Sequence, residues 1–599
     1  MIVYKRDGRA VVYDENKIIK AIQKANKEVE DLQERATMLE IKSLLSVIES
    51  TYRSKTTKDK EGISVEEIQD LIEQYFVKLG KYNLAKKYIL YRYKREIIRK
   101  SNTTDESILS LVRSDNKEVM EENSNKNAYI NSTQRDLIAG EVSKDLSKRL
   151  LLPADVVKAH EDGVLHFHDM DYFLQHSFNC CLVNIKDMLD NGTVMNGKLI
   201  ESPKSFQVAC TVMTQIIAAV ASGQYGGQSV NIKHLGKYLK ISFDKYKKRI
   251  RAEYEKTGLI DKFENENEME KSINISAMSR LKEELKAGVQ TIQYQINTLM
   301  TTNGQSPFVT LFLHIDDNDP YEEYTAMIIE EIIDQIYEGI KNEKGVYVTP
   351  AFPKLIYVLD ENNIKGGPYN YITKKAARCT ARRLYPDYIS AKKMRENYDN
   401  EVFSCMGCRS FLSNWKNEKG EYVWEGRFNQ GVVSINLPQI GIIANGDENE
   451  FWKLLDERLE LCKKALMCRR KNLLGTKSDT SPIHFQHGAI ARLKPGETID
   501  ELLKGGYSTI SLGYIGLYET TIAMKGVSHT TKEGHDFAIR VMKKLREKTD
   551  EWKKETGLGF GLYGSPAESL CYRFAEIDKA KFGIIENITD KGYYTNSYH

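Results

Sequence analysis

This sequence has few prolines, no apolar run of membrane length and no large excess of one charge. Only 12 prolines occur in 599 residues, which excludes long proline-rich linkers. The 87 lysines and arginines nearly balance the 84 aspartates and glutamates, so we expect no nucleic-acid partner. The most apolar stretch, residues 208–222, is too short for a membrane span and predicts a buried helix. The N-terminus turns charged at residue 5 and has no secretory signal, so we expect a cytoplasmic protein without a membrane partner.

Cysteine is sparse as well. The nine cysteines are an odd number and too few for a disulfide scaffold, so a reducing environment is expected. Cys180 and Cys181 are adjacent, and Cys405 and Cys408 form a C-x-x-C pair. A zinc site needs a second such pair, which the sequence lacks. The C-x-x-C is therefore either a redox pair or a pair of buried apolar thiols.

Residue patterning predicts a small first domain over residues 1–98. A basic strand–turn–strand leads into a helix over 16–25, for which Asp14 is the predicted N-cap. Two further helices are predicted at 64–79 and 82–98. Residues 99–133 are polar and rich in Asn, Ser and Glu, and we interpret them as a linker.

The remainder, residues 134–599, alternates helical stretches with short β-branched or apolar runs. The predicted strands are at 308–313, 354–359 and 431–437. Such alternation favours an α/β body with many parallel strands. The charged stretch 244–285 is interpreted as an inserted, solvated helical pair that carries no chemistry.

A glycine-rich segment near the C-terminal end is a candidate phosphate site. Gly559–Gly564 has the G-x-G-x-x-G spacing, but the helical pattern of residues 537–556 stands where a dinucleotide site needs a strand. The following Ser-Pro-Ala-Glu (565–568) has the pattern of a capping box with proline at the first helical position. The free amides and positive dipole end of such a helix suit a phosphate. An ordinary helix start is the alternative.

Four histidines form a candidate metal site. The metal ligands would be His166, His168, His484 and His487, as in a barrel metallohydrolase. Hydrogen-bonded core histidines are the alternative, because no bridging carboxylate or further fixed spacing accompanies the four.

Basic residues surround the first predicted turn and helix. Lys5, Arg6, Arg9 and Lys17 could bind a polyphosphate, or they could form a solvated basic hairpin.

Taken together, these segments resemble one family, the anaerobic (class III) ribonucleoside-triphosphate reductases, which are glycyl-radical enzymes. KRDGR, KIIKAI and AKKYILYRYKR are similar to the ATP-cone, a regulatory nucleotide-binding domain. Eight further segments are similar to the family's catalytic body and occur in the family's order: HFHDMDY, FNCC, GQYGGQS, NGQSPFVT, CMGCRSFLSNW, GRFNQGVVSINLPQIG, HGAIARL and YGSPAESLCYRF. The resemblance covers nearly the whole chain, and the blocks containing Met-Gly-Cys-Arg and Gly-Arg-Phe-Asn carry most weight.

The resemblance implies an α/β fold, a ten-stranded α/β barrel with a central finger loop, preceded by the small, mainly helical ATP-cone. Cys408 then matches the transient thiyl-radical site and Cys180 the second cysteine, which faces the substrate. Asn429 and Met406 match residues that accompany formate as the reductant. The implied reaction is reduction of ribonucleoside triphosphates to deoxyribonucleoside triphosphates.

The resemblance also implies nucleotide contacts. The substrate phosphates are expected at Gly564, Ser565, Ala567 and Glu568. Allosteric ATP or dATP is expected at Lys5, Arg6, Lys17 and Arg92 of the cone. The implied partners are a second copy of the chain and an iron–sulfur, S-adenosylmethionine-dependent activating enzyme.

The chain departs from the family's pattern at one point. The family stores its radical on a glycine in an Arg-Val-x-Gly-Tyr motif and builds a zinc site from two C-x-x-C pairs, and this sequence has neither. We therefore expect no metal in this chain, little activity of the chain alone, and a radical glycine supplied by a segment or chain outside these residues. Two other functions stay open: the metallohydrolase and a non-catalytic nucleotide sensor.

Overall fold

The computed structural model describes residues 2–4, 10–27, 29–55, 62–90, 104–113, 127–407 and 410–596. The chain divides into two compact units, residues 1–110 and residues 111–599. No helix in the described part is long and apolar enough to cross a membrane.

The first unit combines a small sheet with helices. Strand β1 (Ile2–Tyr4) pairs antiparallel with β2 (Ala10–Val12) and parallel with β3 (Ile63–Ser64). Its helices are α1 (Glu15–Lys27), α2 (Met38–Lys55), α3 (Val65–Lys78) and α4 (82–90).

This arrangement confirms the predicted strand pair and first helix. Asp14 Oδ1 accepts the amide hydrogen of Asn16 at 3.1 Å, as expected near a helix start. Helix α2 was not predicted from the sequence. A further helix, α5 (Thr104–Arg113), lies inside the segment interpreted as a linker.

Two larger sheets organise the second unit. Their strands are β4 (Leu165–Phe167), β5 (Cys181–Leu182), β8 (Gln228–Asn231), β9 (Val309–Leu313), β12 (Lys354–Leu359), β13 (Asp387–Ser390), β14 (Asn429–Asn436), β15 (Thr509–Ile515) and β16 (Gly559–Gly564). One sheet has five parallel strands in the order β13-β12-β9-β8-β5. The other has four, in the order β16-β15-β14-β4, with only β4 antiparallel. Two hairpins complete the strands: β6 (Thr193–Met195) with β7 (Lys198–Ile200), and β10 (Ile340–Lys341) with β11 (Tyr347–Val348).

Helices cover these sheets. They are α6 (Asn131–Leu146), α7 (Ala154–Glu161), α8 (Ile185–Asp190), α9 (Phe206–Ala221), α10 (Gly236–Lys256), α11 (Glu266–Thr298), α12 (Glu322–Glu338), α13 (Asn370–Arg383), α14 (Ala391–Asn397), α15 (Leu437–Ala444), α16 (Glu448–Leu473), α17 (Pro482–Phe485), α18 (Leu517–Lys525), α19 (Lys532–Thr556) and α20 (Glu568–Phe582). The parallel strands joined by helices confirm the predicted α/β body.

The two sheets meet along one antiparallel seam, which runs between residues 179–182 and 426–429. The Asn429 amide donates to the Cys180 carbonyl at 2.8 Å, and the Leu182 amide donates to the Arg427 carbonyl at 2.9 Å. Cys181 and Phe428 form the antiparallel bridge between these bonds. A parallel half-sheet thus continues into a second half-sheet of opposite direction.

The stretch 244–285 is not the solvated insertion that its charge predicted. Helices α10 and α11 carry charged outer faces, but Ile273, Ala277, Leu281 and Leu285 are buried. Leu281 and Leu285 belong to the main core, which also includes α9 and the strands of the five-stranded sheet. Apolar residues at three- and four-residue spacing lie among the charges and form the buried face.

Replacing Leu281 by alanine should therefore destabilise the second unit by about 2–5 kcal/mol, because it leaves a cavity in the core. Ile275, on the same helix, is 73% exposed, so Ile275→Ala should cost less than about 0.5 kcal/mol. Urea unfolding of both variants measures the difference. Equal small effects would show that the helix is not part of the core.

Candidate functional site

Cys180 and Asn429 lie opposite each other on the seam and are almost fully buried, at 1% and 2% exposure. The Cys180 thiol donates to Asn179 Oδ1 at 2.9 Å. The Asn429 side chain donates to the Ser511 hydroxyl and accepts the Gly431 amide hydrogen at 2.7 Å. The seam thus places a hydrogen-bonded thiol and an oriented amide opposite each other.

Two glycines beside the seam allow other backbone segments to approach it closely. A Cβ atom on Gly227 would lie 3.1 Å from the Cα of Gly407, and one on Gly226 would lie 1.9 Å from Asn179 Oδ1. The Ser229 hydroxyl also donates to the Cys405 carbonyl at 2.7 Å. The Gly-Gly of GQYGGQS is therefore needed for close backbone approach.

Residues 398–425, here called the finger loop, lead from α14 to the seam. Met406 is 1% exposed and packs in one apolar cluster with Cys180, Phe403 and Trp424. Its amide donates to the Ser410 carbonyl at 2.9 Å. The structure thus brings Met406, Cys180 and Asn429 together.

Only one cysteine of the C-x-x-C pair lies within the described residues. Cys405 is buried in a separate cluster with Phe312, Ile356 and Val358. Cys408 lies outside the described residues. Asn179 and Ser511 were missed by sequence reasoning. Asn179 precedes Cys180 in the FNCC block, so it had a signal, whereas Ser511 is brought in only by strand pairing.

The predicted capping box at residues 565–568 is wrong. Helix α20 begins at Glu568 with Ala567 as its N-cap, and no side chain caps it. The Gly-rich segment is strand β16 and not a turn, because it pairs in register with β15. The fully buried Ser565 hydroxyl bonds the Ser434 hydroxyl inside the sheet, where only a glycine at 513 leaves room for both.

A cavity of about 420 Å³ opens at the C-terminal ends of β15 and β16. Gly516, at the start of α18, and Gly564 line it, and Lys591 adds a cation. Of the predicted phosphate residues, Gly564 lies in this cavity and Ala567 lies at the adjacent helix start. Sequence reasoning missed Lys591, which stands in a polar segment without a motif.

The four candidate metal ligands do not share one site. His166 and His168 have ring centroids 4.6 Å apart. His484 bonds Ser481 at 2.7 Å and Gln224 at 3.2 Å, while the His487 carbonyl accepts from Thr193. Among the described residues, no group of three or more histidines, cysteines and carboxylates could hold a metal ion.

His168 instead belongs to a network of buried histidines, a serine and an arginine beneath α20. Its Nε2 contacts the Ser434 hydroxyl at 2.8 Å, and Arg573 of α20 contacts His166 Nδ1 at 3.3 Å. Burial lowers the pKa of His168 to about 3 and that of His160 to about 2, with neighbouring arginines adding to the effect. This network fixes strand β4 to the helix that follows Ser565.

Of the predicted effector residues, Lys17 alone lies within the described part. Its side chain is exposed, and its Nζ lies 3.7 Å from the Asp14 carboxylate. Lys5, Arg6 and Arg92 lie outside the described residues.

The lowered pKa of His168 gives a prediction about stability in acid. In the unfolded chain the pKa of His168 returns to about 6.5. Below that pH the unfolded state therefore binds a proton that the folded state does not bind. The free energy of unfolding should fall by up to about 1.4 kcal/mol per pH unit from this residue between pH ~6.5 and ~3.

Urea unfolding between pH 4 and 7 measures this dependence. His168→Gln should reduce the slope, and His535→Gln, at an exposed position, should leave it unchanged. Identical slopes for His168→Gln and the unsubstituted chain would contradict the buried neutral histidine.

Comparison with known proteins supplies the family. The family model of anaerobic ribonucleoside-triphosphate reductase matches residues 122–599, and the family model of the ATP cone domain matches residues 1–97. The anaerobic ribonucleoside-triphosphate reductase of Escherichia coli is 39% identical over 100% of this chain and 81% of its own length. That of Enterobacteria phage T4 is 39% identical over 83% of this chain and 79% of its own.

Solved structures show the same fold. The anaerobic ribonucleotide reductase of Thermotoga maritima with dATP bound in the specificity site has a TM-score of 0.56 at 16% identity, over 82% of this chain and 77% of that chain. A second anaerobic ribonucleotide reductase structure has a TM-score of 0.58 at 15% identity, over 84% and 76%. The predicted α/β fold is thereby confirmed. The chain belongs to the anaerobic ribonucleoside-triphosphate reductases, which convert ribonucleoside triphosphates to deoxyribonucleotides, and it begins with an ATP cone domain.

Proposed function

We propose that Cys408, Cys180, Asn429 and Met406 carry the reduction, with formate as the reductant. The supporting observation is the buried contact of Cys180 and Asn429 on the seam, with Met406 in the same cluster. Hydroxide is a poor leaving group, so polar chemistry removes a ribose 2′-hydroxyl with difficulty. A thiyl radical on Cys408 can instead abstract the 3′-hydrogen, since S–H and activated C–H bonds are close in strength.

The described residues supply the following steps. The 2′-hydroxyl leaves as water once it is protonated, and we assign the donation of a proton or a hydrogen atom to the Cys180 thiol, which is hydrogen-bonded to Asn179 Oδ1. The Asn429 amide, held by Ser511 and Gly431, would orient formate, which gives two electrons and leaves as carbon dioxide. The buried apolar surroundings of Met406 keep water and oxygen away from the radical.

We place the substrate phosphates at the edge formed by Gly564, Ser565, Ala567 and Glu568. The start of α20 has no side-chain cap, so its amides and its dipole can meet an anion. The neighbouring cavity, with Lys591 on its wall, has space for a polyphosphate. Ser565 supports this edge from inside the sheet through Ser434.

The radical glycine, in this proposal, comes from a segment or chain outside the 599 residues printed here, which carry no Arg-Val-x-Gly-Tyr motif. The same holds for the family's four-cysteine zinc site. An iron–sulfur, S-adenosylmethionine-dependent enzyme would generate the radical, and the chain would act as a homodimer. The domain limits that we propose are the cone over 1–98, the linker over 99–133 and the barrel over 134–599.

Effector binding is proposed for the cone, with ATP or dATP at Lys5, Arg6, Lys17 and Arg92. Basic side chains suit a polyphosphate as point charges and planar forks. A related structure from Thermotoga maritima holds dATP and CTP, which fits nucleotide effectors in the family.

The chain reconstituted with a radical-bearing domain should form deoxynucleotide and release labelled carbon dioxide from labelled formate in equal amounts. Cys408→Ser should abolish both, because the thiyl site is lost. Cys468→Ser, on helix α16 and outside the cluster that holds Cys180 and Met406, is the matched control and should keep both. Turnover by Cys408→Ser would refute the assignment of this cysteine, and deoxynucleotide without labelled carbon dioxide would refute formate.

Calorimetric titration with dATP tests the cone. The unsubstituted chain should give a saturable isotherm. A chain with Lys5, Arg6, Lys17 and Arg92 all changed to alanine should bind at least about tenfold more weakly, a loss of about 1.4 kcal/mol. The control substitutes four exposed basic residues of helix α19: Lys532, Lys543, Arg546 and Lys554. A flat isotherm for the unsubstituted chain would leave the cone without an effector role.

A further inference from the structure

We propose that Arg427 is a positioning residue that holds the finger loop against the segment leading into β15, and so sets where Met406 packs against Cys180. This inference rests on the proposed function, because the proposed function assigns the radical chemistry to the finger loop. Nothing in the proposed reaction itself uses Arg427, although it lies two residues before Asn429 on the seam.

The guanidinium of Arg427 is fully buried, and its hydrogen bonds to the described residues all go to backbone carbonyls. Nη2 donates to the carbonyls of Ser413 and Gly506 at 2.7 and 2.9 Å, and Nε donates to that of Tyr507 at 2.7 Å. Nη1 donates to the Val423 carbonyl at 3.2 Å. One side chain thus joins two points of the finger loop's returning half to the segment that leads into β15.

Aromatic side chains complete this base of the loop. The guanidinium carbon lies 5.9 Å from the ring centre of Trp415 and 5.6 Å from that of Trp424. Trp424 stacks on Phe403 of the outgoing half at 3.4 Å between ring centres and an interplanar angle of 3°. Through Trp424, Arg427 is in contact with both halves of the loop.

The electrostatics show why this residue is an arginine. Burial of a cation costs free energy unless it is paired, and within the described residues Arg427 has no carboxylate partner. Burial lowers its pKa to about 10, so it stays charged at neutral pH. Four carbonyls and two indole faces offset the cost, and a planar fork of five donors is needed to reach them. Lysine has three donors on a single atom and cannot reach the same set.

Ser413 shows the consequence for the site. Its amide and hydroxyl both bond the Thr509 hydroxyl at 3.0 Å, and its carbonyl is one of the four held by Arg427. Ser413 is separated by only two residues from Ser410, whose carbonyl accepts the Met406 amide. A shift at the Arg427 contacts therefore moves the segment that packs Met406 against Cys180.

Tryptophan emission of the chain alone tests the packing. Two of the four tryptophans flank Arg427, so Arg427→Lys and Arg427→Met should shift the emission maximum and increase quenching by acrylamide. Arg458, a buried arginine on helix α16 whose pKa burial also lowers to about 10, is the matched control. Arg458→Lys and Arg458→Met should lose stability without the same spectral change.

Kinetics of the complex with a radical-bearing domain test the positioning. Arg427→Lys should lower kcat by about a hundredfold, as expected for a displacement of about 1 Å, with KM for the ribonucleoside triphosphate unchanged. Arg458→Lys should keep kcat. Unchanged emission and quenching in both Arg427 variants would overturn the proposal, and so would equal loss of kcat in Arg427→Lys and Arg458→Lys. The emission measurement needs no turnover, so it judges Arg427 even where the proposed radical chemistry fails.

Discussion

The antiparallel hydrogen bonds between residues 179–182 and 426–429 are the constraint on which the rest of the site depends. They join a five-stranded parallel sheet to a four-stranded sheet of opposite direction. The Asn429 amide donates to the Cys180 carbonyl and the Asn429 carbonyl accepts from the Asn179 amide, so Cys180 and Asn429 lie opposite each other although 249 positions separate them in sequence. A ladder of backbone bonds is rigid, so both groups keep their positions without a ligand.

Close approach to the seam is made possible by what is absent from it. Gly227 and Gly407 have no side chains, which lets the finger loop lie against the start of β8, and Gly226 leaves room for Asn179, the neighbour of Cys180. Arg427 and the stacked aromatic rings then hold the base of the loop. A catalytic group on a loop needs such support, because loops move more than the elements that they connect.

Sequence reasoning located the strands and helices with strong periodicity and failed where tertiary contacts decide. The runs at 308–313 and 354–359 are strands because β-branched and apolar residues follow one another between turn signals. The G-x-G-x-x-G segment was misread because its pairing with β15 cannot be seen in its own residues. The buried face of helix α11 was not predicted, because its apolar residues alternate with lysines and glutamates.

The candidate site divides in the same way. Cys180 and Asn429 were named through a family resemblance, and composition alone would have left Cys180 in the core. Ser511, Lys591 and the carbonyl partners of Arg427 carry no local pattern, since strand register and loop packing bring them into place. Residues that enter the site only through strand register or loop packing therefore have to be identified from the structure.

Radical chemistry at the seam is tested most directly with a ribonucleoside triphosphate that carries deuterium at the 3′ carbon. In competition with the unlabelled substrate, abstraction of the 3′-hydrogen by a thiyl group predicts slower conversion of the labelled molecule. Equal conversion of the two substrates by the reconstituted complex would contradict a mechanism in which this bond is broken.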